Sequence, residues 1–438
     1  MKVLKFGGTS VGSAQRIKNV ASLIANSEGK IVVLSAMSGT TNQLLEIYDY
    51  IVNNNPTGAL ETLARLKANY ANVLAELFPT PSEHRTAASE ALGNSFASIE
   101  AEIAAPQGEQ SCKNIVANGE LMSTALMLNY LLNQGVKATM LPALQFMVID
   151  SNGEPDQTRI ASRLHALLST VTPADVYITQ GFICKNHNDL TDNLKRGGSD
   201  YTASLIGAAV NADEIQIWTD IDGMHNNDPR FVADTRPVRE LHFEEAAELA
   251  YFGAKILHPT CILPAKLANI PVRLLNTMQP QAEGTVIHNT LPDHKIKAVA
   301  AKDNITAIKI KSGRMLLAYG FLSRVFSVFE RFRTPIDMVV TSEVGVSVTI
   351  DNEQHLPEIL AELKKIGTIT VDRNMVIICV VGDLQWNNRG FEAAVVNALK
   401  DIPVRMISYG GSNYNISLLI DHSYKTQALN LLSDYLFK

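Results

Sequence analysis

Cysteine is scarce in this 438-residue chain, and long apolar runs are missing. The four cysteines, Cys112, Cys184, Cys261 and Cys379, lie far apart and form no Cys-x-x-Cys pair. This spacing excludes the common zinc motifs and argues against a disulfide framework. No apolar run approaches the roughly 18 residues that a membrane span requires, and no signal-peptide core precedes the first strand pattern. We therefore expect reduced thiols, no membrane partner and a cytoplasmic location.

Basic clusters are missing as well. The chain has 38 Lys and Arg residues against 44 Asp and Glu residues, a net charge of −6, and the basic residues do not cluster. This argues against a nucleic-acid partner. Neither the P-loop spacing nor the Gly-x-Gly-x-x-Gly spacing occurs, so any phosphate site must be built in another way. With 46% hydrophobic residues, the chain can form two or three domains with full cores.

The first glycine-rich stretch runs from Lys5 to Ser10. The apolar pattern Val3–Phe6 predicts a strand, and a helical pattern begins near Ser13. Backbone N–H groups of Gly7 and Gly8 could approach a phosphate closely, while Lys5 adds a full positive charge. The alternative is an ordinary tight turn with a surface lysine.

A second glycine-rich turn, Gly197-Gly198, also precedes a helical pattern. Arg196 offers a planar fork suited to a carboxylate or phosphate. Asp200 could cap the helix, orient the lysine or hold a water on a metal, and spacing alone does not separate these roles. Two such turns together favour an anionic ligand.

Strand and helix patterns alternate through residues 1–290, which predicts an α/β sheet sandwiched by helices. Residues 43–105 are rich in helix, and Ser38, Thr41 or Asn42 could cap the first of these helices. We expect Glu120 to open a later helix, where a glutamate is common for helix-dipole reasons alone. The predicted strands are Val3–Phe6, Lys30–Ser35, Ala138–Leu141, Val176–Thr179, Glu214–Asp220 and, last in this half, Ile270–Leu275.

Residues 295–438 contain an internal repeat. A helix opens at Phe321 and again at Phe391, and a strand ends at Asp351 and again at Asp421, so both offsets are 70 residues. Each copy predicts a helix, two strands (Pro335–Val340 and Gly345–Asp351; Pro403–Ser408 and Asn415–Asp421) and another helix. The polar turns at 341–343 and 410–413 could bind a small polar molecule, and a plain dimerisation module is the alternative.

Taken together, these motifs resemble the aspartate kinases of the amino-acid-kinase family, of the monofunctional type, over essentially the whole chain. The two C-terminal repeats resemble ACT domains. The matching stretches are Lys5–Val11, Ser38–Asn42, Gly119–Ser123, Arg196–Thr202, Trp218–Asp220, Asp228–Arg230 and Phe252–Pro259.

The resemblance implies ATP-dependent phosphorylation of the side-chain carboxylate of L-aspartate, the first step toward lysine, threonine and methionine. It implies that Lys5, Gly7, Gly8 and Asp200 are catalytic, and that Mg²⁺ arrives with ATP rather than on a set of protein ligands. The implied substrate-binding residues are Thr41, Glu120, Arg196, Gly197, Gly198 and Ser199. The implied nucleotide-binding residues are Lys5, Thr219, Asp220, His225, Arg230, Lys255 and Ile256, with His225 standing where a tyrosine is usual.

The resemblance also implies a fold: a mainly parallel α/β kinase domain over residues 1–293, then two α+β ferredoxin-like ACT regions over 294–373 and 374–438. The leading strand of the first region, at about 296–312, should pair with the second module. An end-product amino acid, lysine first and threonine second, should inhibit from the ACT modules, through which we expect a homodimer or higher oligomer. The implied effector residues are Met315, Phe321, Leu322, Asp337, Ser342, Glu343 and Val344.

Two other functions fit parts of the sequence. A kinase for glutamate or N-acetylglutamate would share the glycine turns but lack the paired C-terminal modules. A catalytically inactive amino-acid sensor would share the fold but would not need Lys5, Glu120, Arg196 and Asp200 together.

Overall fold

The chain forms two units in a computed structural model, which describes residues 1–26, 29–104, 108–194, 197–253, 257–289, 293–312 and 319–438. The N-terminal unit comprises residues 1–224 and 256–289, and the C-terminal unit comprises residues 225–255 and 290–438. The chain therefore leaves its first unit and returns to it before the C-terminal repeats begin.

A mainly parallel sheet forms the centre of the N-terminal unit, with the strand order β3-β4-β2-β1-β7-β9-β10. All neighbouring pairs in this order are parallel except β9 with β10. Strands β2 and β4 are buried along their whole length, as expected for a sheet covered on both faces. The strands of this unit are β1 (Lys2–Phe6), β2 (Lys30–Leu34), β3 (Ala138–Met140), β4 (Val176–Gln180), β5 (Ile183–Lys185), β6 (Thr191–Asn193), β7 (Glu214–Thr219), β9 (Val272–Asn276) and β10 (Thr285–His288).

Helices flank this sheet and share its core. Phe6 and Ile178 from strands pack in one cluster with Ile17, Leu44 and Leu126 from helices. The helices of this unit are α1 (Ala14–Ile24), α2 (Thr40–Val52), α3 (Pro56–Leu77), α4 (Glu83–Ala104), α5 (Glu109–Asn133), α6 (Ala143–Phe146), α7 (Gln157–Thr170), α8 (Gly198–Ala209) and α10 (Leu263–Leu267), with a 3₁₀ turn at Pro259–Ile262.

Three expectations for this unit are wrong in detail. Glu120 does not open a helix but lies inside the 25-residue α5, whose polar and glycine positions Asn118 and Gly119 are buried and hide the apolar pattern. Helix α2 is capped by Gly39 in the left-handed conformation, with φ of 81° and no side-chain cap. Strand β9 is not the last of its unit, because the short antiparallel β10 follows.

The C-terminal unit is built on a second sheet, with the order β12-β13-β11-β14-β16-β15 and antiparallel neighbours throughout. Strand β11 pairs with β14 from Ile296 to Lys311, and its second half also pairs with β13. The strands of this sheet are β11 (Ile296–Lys311), β12 (Val339–Ser342), β13 (Gly345–Ile350), β14 (Thr368–Gly382), β15 (Val404–Ser408) and β16 (Asn415–Asp421). The short strand β8 (Glu240–His242) of this unit is not part of it. The helices are α9 (Phe243–Tyr251), α11 (Phe321–Arg331), α12 (Leu356–Leu363), α13 (Phe391–Ala398) and α14 (Lys425–Phe437).

Each repeat has its own apolar core. Phe321, Val325 and Ile359 pack in the first, and Val395, Leu418 and Leu432 pack in the second. The repeat is thus confirmed, but its first predicted strand is shorter than expected. It begins at Val339 rather than Pro335, because the Met338 N–H donates to the side-chain Oγ1 of Thr349 at 2.9 Å instead of to a backbone carbonyl of β13.

The four cysteines carry free thiols, with Cys112 half-buried and the other three buried. Within the described ranges, no helix is both long and apolar enough to cross a membrane.

The buried Gln180 links three elements of the N-terminal unit. Its Oε1 accepts a hydrogen bond from the Ala143 N–H at 2.8 Å, and its Nε2 donates to Thr124 Oγ1 at 2.9 Å. The change Gln180→Leu leaves the buried Ala143 N–H without a partner, so we expect a loss of about 2 kcal/mol in the free energy of unfolding. Urea titration measures this loss in the free energy of unfolding. The exposed Gln145→Leu is the control and should change stability by less than about 0.5 kcal/mol; equal effects would contradict this account.

Candidate active site

Four loops meet around a cavity of about 490 Å³ in the N-terminal unit. They follow β1, β2 and β4 or begin α8, so all lie at the carboxyl edge of the parallel strands, where open α/β sheets bind ligands. The predicted catalytic and substrate-binding residues that line this cavity are Lys5, Gly8, Thr41, Glu120, Gly197, Gly198, Ser199 and Asp200.

The central contact in this cavity joins the two glycine-rich turns. Lys5 Nζ lies 2.7 Å from Asp200 Oδ1, and the two side chains are only 12% and 14% exposed. Helix α8 has Gly197 at its N-cap without a side-chain cap, and Asp200 is its third residue. Of the roles open to Asp200, orienting the lysine is therefore the one that this geometry supports. Asp200 Oδ1 has no partner with hydrogen-bond geometry within the described chain, so its contact with Lys5 is an ion pair rather than a hydrogen bond. Lys5 Nζ can therefore still donate to a bound anion.

The first glycine turn is fixed by its neighbours. The Ser38 N–H donates to the Gly8 carbonyl at 3.1 Å, and a Cβ on Gly8 would lie 2.8 Å from the Ala36 carbonyl oxygen. A side chain at Gly8 therefore cannot fit without moving the backbone. The Gly7 N–H already donates to the Trp218 carbonyl at 3.3 Å, whereas the Gly8 N–H has no partner among the residues that the structure covers. Gly8 is thus the better placed of the two predicted donors.

The second glycine turn is packed as tightly. Gly197 has φ of 72°, and a Cβ there would lie 2.4 Å from Cys261 Sγ. A Cβ on Gly198 would meet the Phe182 ring at the same distance. The Phe182 N–H in turn donates to Thr202 Oγ1 at 3.0 Å, inside α8. These contacts hold the start of α8, and hence Asp200, against the loop that follows β4.

Glu120 places a carboxyl group with few hydrogen-bond partners in the wall of the cavity. The residue is 4% exposed, Oε1 accepts the Ala36 N–H at 3.2 Å, and Oε2 has no partner among the described residues. Burial raises the pKa of Glu120 to about 8, against the smaller opposing effect of the Ala36 hydrogen bond. A buried carboxyl oxygen without a partner favours a ligand that brings a positive charge or a donor.

The sequence model of the amino acid kinase family matches residues 1–276, and that of the ACT domain matches residues 378–436. The chloroplastic aspartokinase 1 of Arabidopsis thaliana is 37% identical over 96% of this chain and 77% of its own length. The lysine-sensitive aspartokinase 3 of Escherichia coli K12 is 31% identical over 100% of this chain and 99% of its own. The chain belongs to the aspartokinases of the amino acid kinase family.

Solved structures of an aspartokinase are similar to this chain along its full length. The crystal structure of E. coli aspartokinase III with aspartate and ADP, in its R-state, superposes with a TM-score of 0.85 at 30% identity, covering 100% of both chains. The T-state structure of the same enzyme with lysine and aspartate gives 0.82 at 31% identity, again over 100% of both chains. The predicted family and fold class, a kinase domain of the aspartokinase type followed by ACT modules, are confirmed.

The predicted nucleotide residues of this aspartokinase are divided between the two units. Thr219 ends β7 in the N-terminal unit and Asp220 follows it, with Thr219 Oγ1 donating to Asp220 Oδ1 at 3.1 Å. His225 and Arg230 belong to the C-terminal unit. Arg230 forms a bidentate pair with Asp228, with Nη2 to Oδ2 at 2.6 Å, and its side chain is 75% exposed. Lys255 and Ile256, like Arg196 of the substrate set, lie outside the described residues.

The predicted effector residues that the structure describes differ in burial within the C-terminal unit. Phe321 is buried in the core of the first repeat, whereas Leu322, Ser342, Glu343 and Val344 are exposed. Asp337 is turned inward, with its side chain 1% exposed against Lys302. Met315 lies outside the described residues. These assignments stay predictions.

Several residues that shape the cavity were missed. Phe182 lines it with φ of 66°, a left-handed conformation that is strained for a bulky side chain. Cys261 supports Gly197, and Ser10 Oγ lies 2.7 Å from Thr277 Oγ1 below the first turn. Phe182 could have been recognised as a cavity residue from the sequence, because the Gly181-Phe182 pair directly follows a buried strand. Nothing local in the sequence marks Cys261 or Thr277.

The Glu120 carboxyl group should titrate near pH 8 in the ligand-free protein, because burial disfavours its charged form. Carboxyl ¹³C shifts recorded from pH 5 to 9 measure this, and Glu120→Gln identifies the resonance by its loss. A titration of this resonance below about pH 6 would show that the carboxyl group is solvated rather than buried.

Proposed function

We propose that this aspartokinase transfers the γ-phosphoryl group of ATP to the side-chain carboxylate of L-aspartate, giving 4-phospho-L-aspartate. The observation that carries this is one cavity holding both the Lys5–Asp200 pair and the unpartnered carboxyl oxygen of Glu120. In that cavity Lys5 offers a cation to a phosphoryl group, and Glu120 Oε2 offers a hydrogen-bond acceptor to an ammonium group. The product makes this reaction the first step toward lysine, threonine and methionine.

The chemistry needs charge neutralisation more than proton transfer. The aspartate side chain is ionised at neutral pH, so the nucleophile requires no general base. Its attack brings one anion against another, and fixed donors aimed at the transferring group lower that barrier. Lys5 and the Gly8 N–H supply such donors, and Asp200 holds Lys5 in place.

Substrate orientation is assigned to the other side of the cavity. Glu120 would accept the ammonium of aspartate on Oε2, and Thr41 and Ser199 line the same space. Arg196 is proposed to bind the α-carboxylate on the strength of the family resemblance. Two groups of opposite charge would then fix which carboxylate of aspartate faces the phosphoryl group.

Mg²⁺ is proposed to arrive on the phosphates of ATP. Within the described residues, no group of three or more His, Cys, Asp or Glu side chains is placed to hold a metal ion. Thr219, Asp220, His225, Arg230, Lys255 and Ile256 remain the proposed nucleotide residues.

Regulation by an end-product amino acid at the ACT modules completes the proposal. The E. coli relative is named lysine-sensitive and has been crystallised with lysine and aspartate in a T-state. Lysine is therefore the first candidate effector here and threonine the second. The proposed domains are 1–293, 294–373 and 374–438, with assembly into a homodimer or higher oligomer through the last two.

One assay separates this function from its rivals. The protein is incubated with ATP, Mg²⁺ and one amino acid at a time, and any acyl phosphate is trapped with hydroxylamine. Hydroxamate with aspartate supports the proposal, hydroxamate only with glutamate or N-acetylglutamate indicates the related kinases, and none at all indicates a sensor.

Lys5→Ala should lower kcat by roughly a hundredfold or more, because it removes the fixed cation from the transferring phosphoryl group. Lys2→Ala is the matched control, since Lys2 is an exposed residue of the same strand. Hydroxamate assays give kcat, and thermal melting checks that both variants fold. A Lys5→Ala enzyme within tenfold of the parent would contradict the assignment.

The KM for aspartate should fall as pH rises from 6.5 to 8.5. With a pKa of about 8, Glu120 is mostly protonated at the lower pH and mostly ionised at the upper, and only the ionised form attracts an ammonium group. The change should be on the order of tenfold, and Glu120→Gln should raise KM and remove the pH dependence. A KM that is flat or rising over this range in the parent would refute this role.

Lysine or threonine at millimolar concentration should inhibit the aspartate-dependent reaction by favouring a state with weaker substrate binding. Initial rates at subsaturating aspartate measure the effect. Activity unchanged by either amino acid would remove the proposed regulation while leaving the kinase activity intact.

A further inference from the structure

Two buried hydroxyl groups meet behind the first glycine turn. Ser10 Oγ and Thr277 Oγ1 lie 2.7 Å apart, so one hydroxyl donates a hydrogen bond to the other. Ser10 is fully buried, Thr277 is 4% exposed, and neither side chain lines the cavity of the candidate active site. Among the residues that the structure describes, each hydroxyl has the other as its hydrogen-bond partner and no second one. The pair therefore supports the turn from outside the cavity.

Ser10 is the residue through which this support reaches the turn. Its N–H donates to the Gly7 carbonyl at 2.9 Å, which closes residues 7–10 into a tight turn that contains Gly8. On the side of β7 and β9 the turn is held by the Gly7 N–H, which donates to the Trp218 carbonyl at 3.3 Å, and by the hydroxyl pair. The pair thus fixes the end of the turn opposite to Gly7.

Thr277 is also bonded, through its backbone, to the strand whose end carries two predicted nucleotide residues. It directly follows β9, and its N–H donates to the Thr219 carbonyl at 2.8 Å. Thr219 ends β7, and its own hydroxyl donates to Asp220. One residue therefore contacts both the turn that offers the Gly8 N–H and the end of β7.

The chemistry of the pair points to placement rather than to stability. A buried hydroxyl without a partner is costly, but two apolar side chains of the same shape would fill this space at little cost. Stability alone does not call for two hydroxyl groups here. A hydrogen bond adds a fixed distance and direction, which an apolar contact lacks.

We propose that Thr277 is a positioning residue of the kinase reaction. Through Ser10, its hydroxyl sets the place of the first glycine turn, and hence of the Gly8 N–H, relative to the end of β7. This inference rests on the proposed function, in which ATP contacts the turn with its phosphates and the end of β7 with the rest of the nucleotide. Donors aid phosphoryl transfer only when the surrounding residues hold them close to the productive geometry.

The predicted aspartate-binding residues are held by other elements. Thr41 lies in α2, Glu120 in α5 and Ser199 in α8. Within the described ranges, no hydrogen bond joins any of them to Ser10 or Thr277. Loss of the hydroxyl pair should therefore impair the use of ATP and leave the binding of aspartate unchanged.

Thr277→Val tests the proposal, because it removes the hydroxyl and keeps the shape of the side chain. In the full chain, it should weaken MgATP binding, measured by calorimetric titration without an amino acid, by at least about fivefold. It should lower kcat/KM for ATP in the hydroxamate assay by at least about tenfold, with the KM for aspartate within about twofold of the parent. Thr277→Ser keeps the hydroxyl and should restore MgATP binding to within about twofold.

Thr179→Val is the matched control. Thr179 is a buried residue of β4 whose Oγ1 has no hydrogen-bond partner among the described residues. The same substitution there removes a hydroxyl without breaking a hydrogen bond. MgATP binding and both KM values should stay within about twofold of the parent.

The double variant Ser10→Ala/Thr277→Val separates positioning from a structural role. It leaves neither hydroxyl unpaired, so it should regain most of the stability that Thr277→Val loses in urea titration. It should nevertheless bind MgATP as weakly as Thr277→Val, because the link between the turn and β7 is still missing. A purely structural role would restore stability and affinity together.

Any of three results would overturn this role: a Thr277→Val protein whose affinity for MgATP changes by less than about fivefold, a KM for aspartate that rises as much as the KM for ATP, or a double variant with the affinity of the parent. Hydroxamate formed by the parent from glutamate instead of aspartate would contradict the proposed substrate. The MgATP titrations would still decide the role of Thr277, since they require no amino acid.

Discussion

The ion pair between Lys5 and Asp200 is the contact on which the candidate active site depends. A reaction between a nucleotide phosphate and a carboxylate brings negative charges together, and a fixed cation in a sheltered site opposes that repulsion far better than one in water. Lys5 meets this need because its backbone is paired on both sides, with Val33 in β2 and Ile217 in β7. Asp200 stands at the start of α8, which Gly197 and Gly198 hold against their neighbours. The tight packing of the two glycine turns therefore helps to fix the position of the Lys5 ammonium group.

Glu120, unlike Lys5, has no oppositely charged partner in the cavity among the described residues. Burial keeps the Glu120 carboxyl group, which has one oxygen without a partner among the described residues, mostly protonated at neutral pH until a positive ligand enters. The cavity without a ligand therefore holds no unpaired negative charge on Glu120 in addition to the Lys5–Asp200 pair. Its position inside α5 makes this possible. Gly119 lets the helix approach the loop after β2, where an added Cβ would lie 2.8 Å from the Ala36 side chain, and the Ala36 N–H then reaches Glu120 Oε1.

The elements of this fold are largely predictable from sequence, because their signals are local. Period-two and period-3.6 apolar patterns located the strands around Lys5 and the helix after Gly197, and the 70-residue offset between Phe321 and Phe391 revealed the repeat. What could not be predicted depends on distant residues. The partner of Asp200, the support of Gly197 by Cys261 and the interior position of Glu120 all require segments far apart in sequence to meet. The inward turn of Asp337 toward Lys302 is of the same kind.

The segment 225–255 explains why the boundary of the kinase domain is hard to place. The family model covers it, yet it packs in the C-terminal unit. Asn227 Nδ2 donates to the Leu429 carbonyl at 3.0 Å, and the ring of Phe231 lies 4.0 Å from Lys425 Nζ, both contacts with α14.

Arg230 stands between these anchored positions. Its exposed guanidinium is held by Asp228, and hydrogen bonds from Arg230 keep the pKa of Asp228 below its usual value although burial acts in the opposite direction. A predicted nucleotide residue therefore lies between two residues that contact α14 of the second repeat. Coupling between an effector and a nucleotide needs two states of a shared element rather than a long pathway.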